Sequence, residues 1–327
     1  MTQNTVAITH SSSSTIRPEG TRHGVINSVI GRLNEVLLGK EEQIKLSLSC
    51  LFANGHLLIE DQPGMGKTLL SHALARVLGL SFNRIQFTSD MLPSDILGMS
   101  IFDKENSSFR FLKGPIFAQL VLADEINRAT PKSQSALLEA MEEYQVTIEG
   151  ETRKLPSPFF VIATQNPESQ TGTFPLPESQ LDRFLMRIHL GYPDPDAERE
   201  LLMGGDRREL ANALEPMVDM DWLKDTWQAV QSVKVTDPLV DYIQRLVQFT
   251  RREREFSLGL SPRGSLALLR AARAWALIHD RSHVVPEDVQ AVLPSVVEHR
   301  LRSAANHSGH GGGALSQRLL ARVDVVG

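Results

Sequence analysis

A lysine and a threonine directly after two closely spaced glycines make a setting for polyphosphate, and Asp61-Gln62-Pro63-Gly64-Met65-Gly66-Lys67-Thr68 has that arrangement. Glycines let backbone N–H groups approach phosphate oxygens, and a helix N-terminus behind them favours the negative charge. Lys67 has the reach for β- and γ-phosphates, and Thr68 can offer its hydroxyl to Mg²⁺. The usual pattern, G-x-x-x-x-G-K-[ST], is broken once, because Asp61 stands at the first glycine position. Asp124-Glu125 closes a later apolar run. Two acids directly after a buried strand are costly unless they serve a cation or a reaction. Asp124 suits a Mg²⁺-holding carboxylate, and Glu125 suits a base that polarises an attacking water. Solvated acids at a strand end are the plain alternative; the phosphate loop upstream tips the balance towards chemistry. Asn166 follows a further apolar run, where open α/β sheets bind ligands.

These residues need strands and helices in particular places. His56–Glu60 is an expected strand into the loop, and Leu69–Leu78 the helix leaving it. Further strands are expected over Asn83–Phe87, Gln119–Ala123, Phe159–Thr164 and Phe184–Leu190. Continuous runs such as Leu120-Val121-Leu122-Ala123 suit a parallel sheet buried on both faces. Ser133–Tyr144 reads as an amphipathic helix and Pro177–Arg183 as a short one. Gln145–Leu155 alternates Val146 and Ile148 before the turn Glu149-Gly150-Glu151, which is a hairpin signature. Upstream, Val25–Leu38 sets Ile26, Val29, Ile30 and Leu33 on one helical face; Gly39 can stop that helix, and Glu41–Ala53 resumes the spacing. The join Val36–Lys40 could wrap an adenine base, although periodicity alone favours core packing.

At Gly191-Tyr192-Pro193-Asp194-Pro195 the character changes, and everything downstream is helical in period. Helices are expected over Asp221–Val233, Pro238–Arg252, Arg263–His279, Pro286–Leu301 and Ala314–Val323. Three parts follow: a disordered tail (1–22), rich in serine; an α/β core (23–192); and a helical domain with its tail (193–327). The mixed charges of Arg251–Glu255 read as a solvated face. His307 and His310, in the flexible stretch Asn306–Gly313, lack a third ligand and make a weak metal site.

Composition narrows the class. The chain has 327 residues, a net charge of −5 and 41% hydrophobic content, as expected of a globular protein of one or two domains. The acidic balance argues against broad affinity for nucleic acid. Cys50 is the single cysteine, so no internal disulfide forms. No apolar run approaches a membrane span and no signal peptide is read, so a cytoplasmic protein is expected, with peripheral attachment through a partner left open.

Several stretches together resemble the MoxR family of AAA+ ATPases: Glu60–Thr68, Arg84–Gly98, Gly114–Glu143 and Phe159–Leu185, in this order. The likeness extends from about Gly31 to Leu301. It implies a parallel five-stranded sheet flanked by helices, the P-loop NTPase fold of AAA+ proteins, followed by a small all-α lid. It implies ATP held by Pro63, Gly64, Met65, Gly66, Lys67, Thr68 and Leu69, with Leu38 and Gly39 lining the adenine pocket. Thr68 and Asp124 would hold Mg²⁺, with Glu125 as catalytic base and Asn166 as the first sensor. Arg183, in Leu-Asp-Arg-Phe, would be an arginine finger, and Arg263, in Leu-Ser-Pro-Arg-Gly, the second sensor, acting in cis or in trans. Arg128 is placed for a subunit contact. Met99–Leu112 and Gln145–Leu155 resemble hairpin insertions that face the pore of a ring and touch substrate.

The implied activity is ATP hydrolysis in a homo-hexameric ring, with a remodelling or maturation role towards an unnamed client. A von Willebrand factor A domain protein is the implied partner. A nucleic-acid motor is the main alternative, since ring helicases share the insertions. Its hairpins should be basic. Here Asp103 and Glu105 balance Lys104 and Arg110, and Glu149 and Glu151 balance Arg153 and Lys154. A nonhydrolysing switch is the third reading, and the pair Asp124-Glu125 speaks against it.

Overall fold

A strand that buries both of its faces needs helices above and below its sheet, and this chain supplies them. The computed structural model describes residues 20–166, 173–304 and 314–326. The expected N-terminal tail, as far as residue 19, and the stretch Asn306–Gly313 with His307 and His310 lie outside the described residues.

Helix α1 (Arg22–Asn34) begins earlier than periodicity predicts, because the Thr21 hydroxyl caps it, accepting the Gly24 N–H at 3.2 Å. Helix α2 (Glu41–Phe52), β1 (Leu57–Glu60), α3 (Lys67–Val77) and β2 (Phe82–Gln86) follow. The short α4 (Pro93–Leu97) leads into an antiparallel hairpin, β3 (Gly98–Asp103) and β4 (Ser108–Lys113). Next come β5 (Leu120–Asp124), α5 (Pro131–Glu143) and a second hairpin, β6 (Gln145–Ile148) with β7 (Glu151–Lys154). Its two turn residues, Glu149 and Gly150, both have positive φ, as a tight two-residue hairpin turn requires. Strand β8 (Phe160–Gln165), the one-turn α6 (Glu178–Leu181) and β9 (Met186–Ile188) complete the core.

The five strands β1, β2, β5, β8 and β9 form one sheet, ordered β2-β5-β8-β1-β9 and parallel throughout. Alternate residues serve opposite faces. Leu57, Ile59, Leu120, Leu122, Phe160 and Ile162 join the cluster built with α1, α2 and α3. Leu58, Val121, Ala123, Val161 and Ala163 join the other, with Leu137, Leu138 and Met141 of α5. Because the strands run the same way, their C-terminal ends collect the loops that bear Lys67, Asp124, Glu125 and Asn166 along one edge.

Past Tyr192 the chain forms α7 (Pro195–Met203), α8 (Arg207–Asn212), α9 (Met220–Ser232) and α10 (Asp237–Arg252). Then come α11 (Pro262–Ile278), α12 (Pro286–Val297) and α13 (Ala314–Arg322). Helices α7 and α8 were not anticipated. Their start signal is nonetheless present: Asp194 caps α7, accepting the Ala197 N–H at 2.8 Å, and Pro195 opens it. The helical region also contains one short antiparallel pair, β10 (Phe256–Leu258) with β11 (Arg302–Ser303), too brief to show a period in sequence. This region packs on the α2 side of the core: Arg270 donates to the carbonyls of Ala53 and Asn54, and Trp227 to that of Leu51. Among the described residues no helix is long and apolar enough to cross a membrane.

His56 pins the two faces of the core together. Its Nδ1 accepts the Val161 N–H at 3.0 Å, and its Nε2 donates to the Met141 carbonyl at 3.1 Å. Its own carbonyl accepts the Cys50 thiol. Burial holds the ring neutral, lowering its pKa from 6.5 to about 4; the Arg270 charge pushes the same way, and the Met141 carbonyl opposes. As pH falls, the unfolded chain takes up this proton first. Stability is therefore complete above about pH 6.5 and is lost progressively towards about pH 4, on the order of 3 kcal/mol in all. Urea unfolding at about pH 7.5 and about pH 5 should show about 2 kcal/mol of that loss, and the His56→Gln variant should show a shallower pH dependence.

Candidate functional site

Gly64 and Gly66 both have positive φ, +88° and +89°, and a side chain at Gly64 would meet open space. The loop therefore leaves a concavity lined by backbone rather than by Cβ atoms. Gly66 caps α3, so Lys67 and Thr68 sit in its first turn. The Lys67 side chain is buried, and its Nζ donates to the Asp61 carbonyl at 2.5 Å and to Asn166 Oδ1 at 3.1 Å. Burial lowers its pKa, while the charges of Asp61, Asp124 and Glu125 act against that shift. Those acids favour the charged ammonium, the form that can pair with a phosphate.

Asp61, which breaks the loop pattern, has a structural task. Its Oδ2 accepts the N–H groups of Leu190 and Gly191, each at 2.7 Å, just beyond β9. Nearby, Lys40 donates to the Tyr192 carbonyl at 2.7 Å. Val36 and Leu37 are core residues, as periodicity predicts. Leu38 is half-buried and Gly39 exposed. Gly39 has φ +66°, and an added Cβ would come within 2.9 Å of Ala197 and 3.0 Å of Asp194. Only glycine fits that close approach. Pro63 is exposed, and Met65 and Leu69 pack partly against the core.

Asp124 ends β5 in a buried position, and both of its oxygens are engaged. Oδ1 accepts the Thr164 hydroxyl at 2.5 Å, and Oδ2 accepts Arg84 at 2.6 Å. Glu125 takes left-handed φ and ψ, 57° and 47°, unusual for a residue that is not glycine. The Thr164 hydroxyl steadies that turn by accepting the Glu125 N–H at 2.9 Å. The Glu125 carboxylate has three donors: Asn166 Nδ2 at 2.9 Å, Gln86 Nε2 at 3.0 Å and Arg128 Nε at 3.0 Å. Asn166 thus links the acid to the lysine, giving its amide NH₂ to Glu125 and its oxygen to Lys67.

The sequence-predicted residues Lys67, Asp124, Glu125 and Asn166 therefore meet in one polar network. Arg183 and Arg263 do not join it. Both pair with Glu142 at the end of α5, Arg183 at 2.8 Å to one oxygen and Arg263 to the other. Arg128, expected at a subunit contact, pairs within its own chain with Glu125. Arg84, Gln86, Thr164 and Glu142 were missed. The first two stand two positions apart on β2 beside β5, and that spacing, which puts both on one face of the strand, was the available signal.

A phosphate cradle, a buried lysine and two carboxylates at parallel strand ends can bind a nucleoside triphosphate and polarise water against it. Hydroxyl and carboxylate oxygens at Thr68 and Asp124 are hard donors suited to Mg²⁺, which usually takes only one or two protein ligands beside phosphates. The partly exposed Arg84 would have to yield its place on Asp124.

Residues 56–186 match the ATPase family associated with various cellular activities (AAA), and residues 248–319 match the AAA lid domain. With this fold, the chain is an ATPase of the AAA+ class. YeaC of Bacillus subtilis (strain 168) is 44% identical over 93% of this chain and 95% of its own. Chaperone MoxR1 of Mycobacterium tuberculosis is 42% identical over 84% of this chain and 75% of its own. The crystal structure of a Cytophaga hutchinsonii protein assigned as an ATPase superposes with a TM-score of 0.81 at 36% identity, covering 93% and 95% of the two chains. The chain belongs to the MoxR family.

Proposed function

We propose that this ATPase works as a homo-hexameric ring whose active sites are shared between neighbouring subunits, and that it remodels partner proteins. The observation that carries the reading is the separation just described. Lys67, Asp124, Glu125 and Asn166 form one network, while Arg183 and Arg263 stand together on Glu142. Charge developing on the γ-phosphate needs a cation beyond the lysine. Arginines kept apart from their own site are suited to supply it to the next one, Arg263 in trans alongside Arg183. A head-to-tail contact of this kind closes into a ring.

Within each site, Gly64 to Leu69 bind the phosphates, with Pro63 setting the loop, and Leu38 and Gly39 flank the base. Thr68 and Asp124 would hold Mg²⁺, which supplies charge neutralisation on the phosphates when bound. Glu125 accepts the proton of the attacking water, and Asn166 orients that water. Remodelling of proteins is favoured over a nucleic-acid motor by the surface of the β3–β4 hairpin. Met99, Ile101, Phe102, Phe109 and Leu112 are all exposed there, beside Asp103 and Glu105 set against Lys104, Arg110 and Lys113, a nearly balanced set of charges. Exposed apolar clusters of this sort fit a polypeptide better than a phosphate backbone. The name of Chaperone MoxR1 agrees with such a client, and the partner in the reading is a von Willebrand factor A domain protein, as the resemblance to the family implies.

Ring formation is tested by weighing the Glu125→Gln protein with Mg·ATP, by mass photometry or light scattering. A sixfold mass is expected. A strictly monomeric chain at high concentration, with no affinity for ATP, overturns the proposal.

A further inference from the structure

The segment that bears Arg183 is gripped from the lid mainly by one side chain, beside which His299 Nε2 meets the Phe184 carbonyl at 3.1 Å. Arg300 lies just past α12, and its side chain is only 4% exposed. Its Nε donates to Asp182 Oδ1 at 2.7 Å. Its terminal nitrogens donate to the backbone carbonyls of Asp182 at 3.3 Å, Phe184 at 2.5 Å and Leu185 at 3.2 Å. A further bond, to the Val296 carbonyl at 2.5 Å, ties the guanidinium to its own helix. The residues on both sides of Arg183 are therefore held, and Arg183 itself is left to pair with the partly exposed Glu142.

The lid reaches the same segment a second time. Asp182 Oδ2 accepts the Ser261 hydroxyl at 3.2 Å. Ser261 caps α11, the helix whose second residue is Arg263. The start of α11 and the end of α12 thus converge on Asp182. A planar guanidinium spread over several fixed acceptors specifies orientation in a way that a lone ammonium does not. Out of water, such a hold is also not loosened by salt as a surface pair is.

We propose that Arg300 is the positioning residue of the Arg183 finger: through it, the lid of one subunit sets where that subunit's finger stands in its neighbour's site. This rests on the reading that Arg183 acts in trans. A lid that shifts in one subunit is then felt as a change of rate in the next.

Arg300→Lys keeps the charge and loses the fork. Misplacing a reacting group by about 1 Å costs about 10²-fold. The variant should therefore lose on the order of 10- to 100-fold in kcat, with KM for ATP and ring mass unchanged. Asp182→Asn, which keeps the backbone grips, should show a smaller loss in the same direction, and it replaces Arg300→Lys should that protein not fold. The decisive measurement mixes either variant with Lys67→Ala subunits, which cannot turn over ATP but carry an intact finger. Turnover per variant subunit should recover as the share of Lys67→Ala rises. Arg183→Ala with Lys67→Ala is the control. If the control recovers and the Arg300 and Asp182 variants do not, their damage lies in their own sites, and the proposal is overturned while the shared site stands. If the control also fails in rings shown to be mixed, both are overturned. Wild-type kcat in Arg300→Lys overturns the positioning role outright.

Discussion

Arg183→Ala protein is expected to hydrolyse ATP on the order of 10³–10⁵-fold more slowly than the parent while still binding the nucleotide. That loss corresponds to about 4–7 kcal/mol of barrier. The cost of freeing the finger is far smaller. Its partner Glu142 is about one-third exposed and is shared with Arg263, itself half exposed, and pairs of that kind contribute about 1 kcal/mol or less. Engagement across an interface therefore wins easily over the resting contact. Mixing with Lys67→Ala subunits should restore turnover, because each defective chain then borrows what it lacks. Absence of recovery in rings demonstrated to contain both chains would leave the finger without a shared site.

Glu125→Gln should abolish nearly all turnover, about 10²–10⁴-fold, with ATP affinity kept. The substitution preserves size but not basicity. It also replaces an acceptor of three donors, Asn166, Gln86 and Arg128, by an amide whose NH₂ group must face one of them. Single-turnover phosphate release, measured beside equilibrium ATP binding, separates the two effects. Phosphate release at the parental rate would place the base elsewhere. A ring arrested in this way should also retain its client in a pull-down.

The sheet was legible because β1, β5 and β8 carry continuous apolar runs, and Leu120–Ala123 could hardly be anything else. The loop, the acids after β5 and the β6–β7 hairpin were legible for a similar reason: each is a local pattern with a local cause. What escaped notice was pairing at long range. Glu142 is one acid among several on the outer side of an amphipathic helix, and only the fold brings Arg183 and Arg263 to it. Arg300 sits at the end of an apolar helix with nothing local to mark it, and its acceptors beside Arg183 lie more than a hundred positions earlier in the chain. Asp61 looked like a flaw in a motif. Its two backbone partners at Leu190 and Gly191 are visible only once β9 is laid beside β1.

That carboxylate makes the chain between β9 and α7 something other than a spacer. Connectors of this sort ordinarily tolerate insertions and deletions. Here one residue added after Ile188 would carry the two amides about 3.3 Å along the strand direction, out of reach of Asp61, and the slack would be felt where Lys67 rests on the Asp61 carbonyl. The nucleotide loop is calibrated, in effect, against the length of a connector it never touches in sequence.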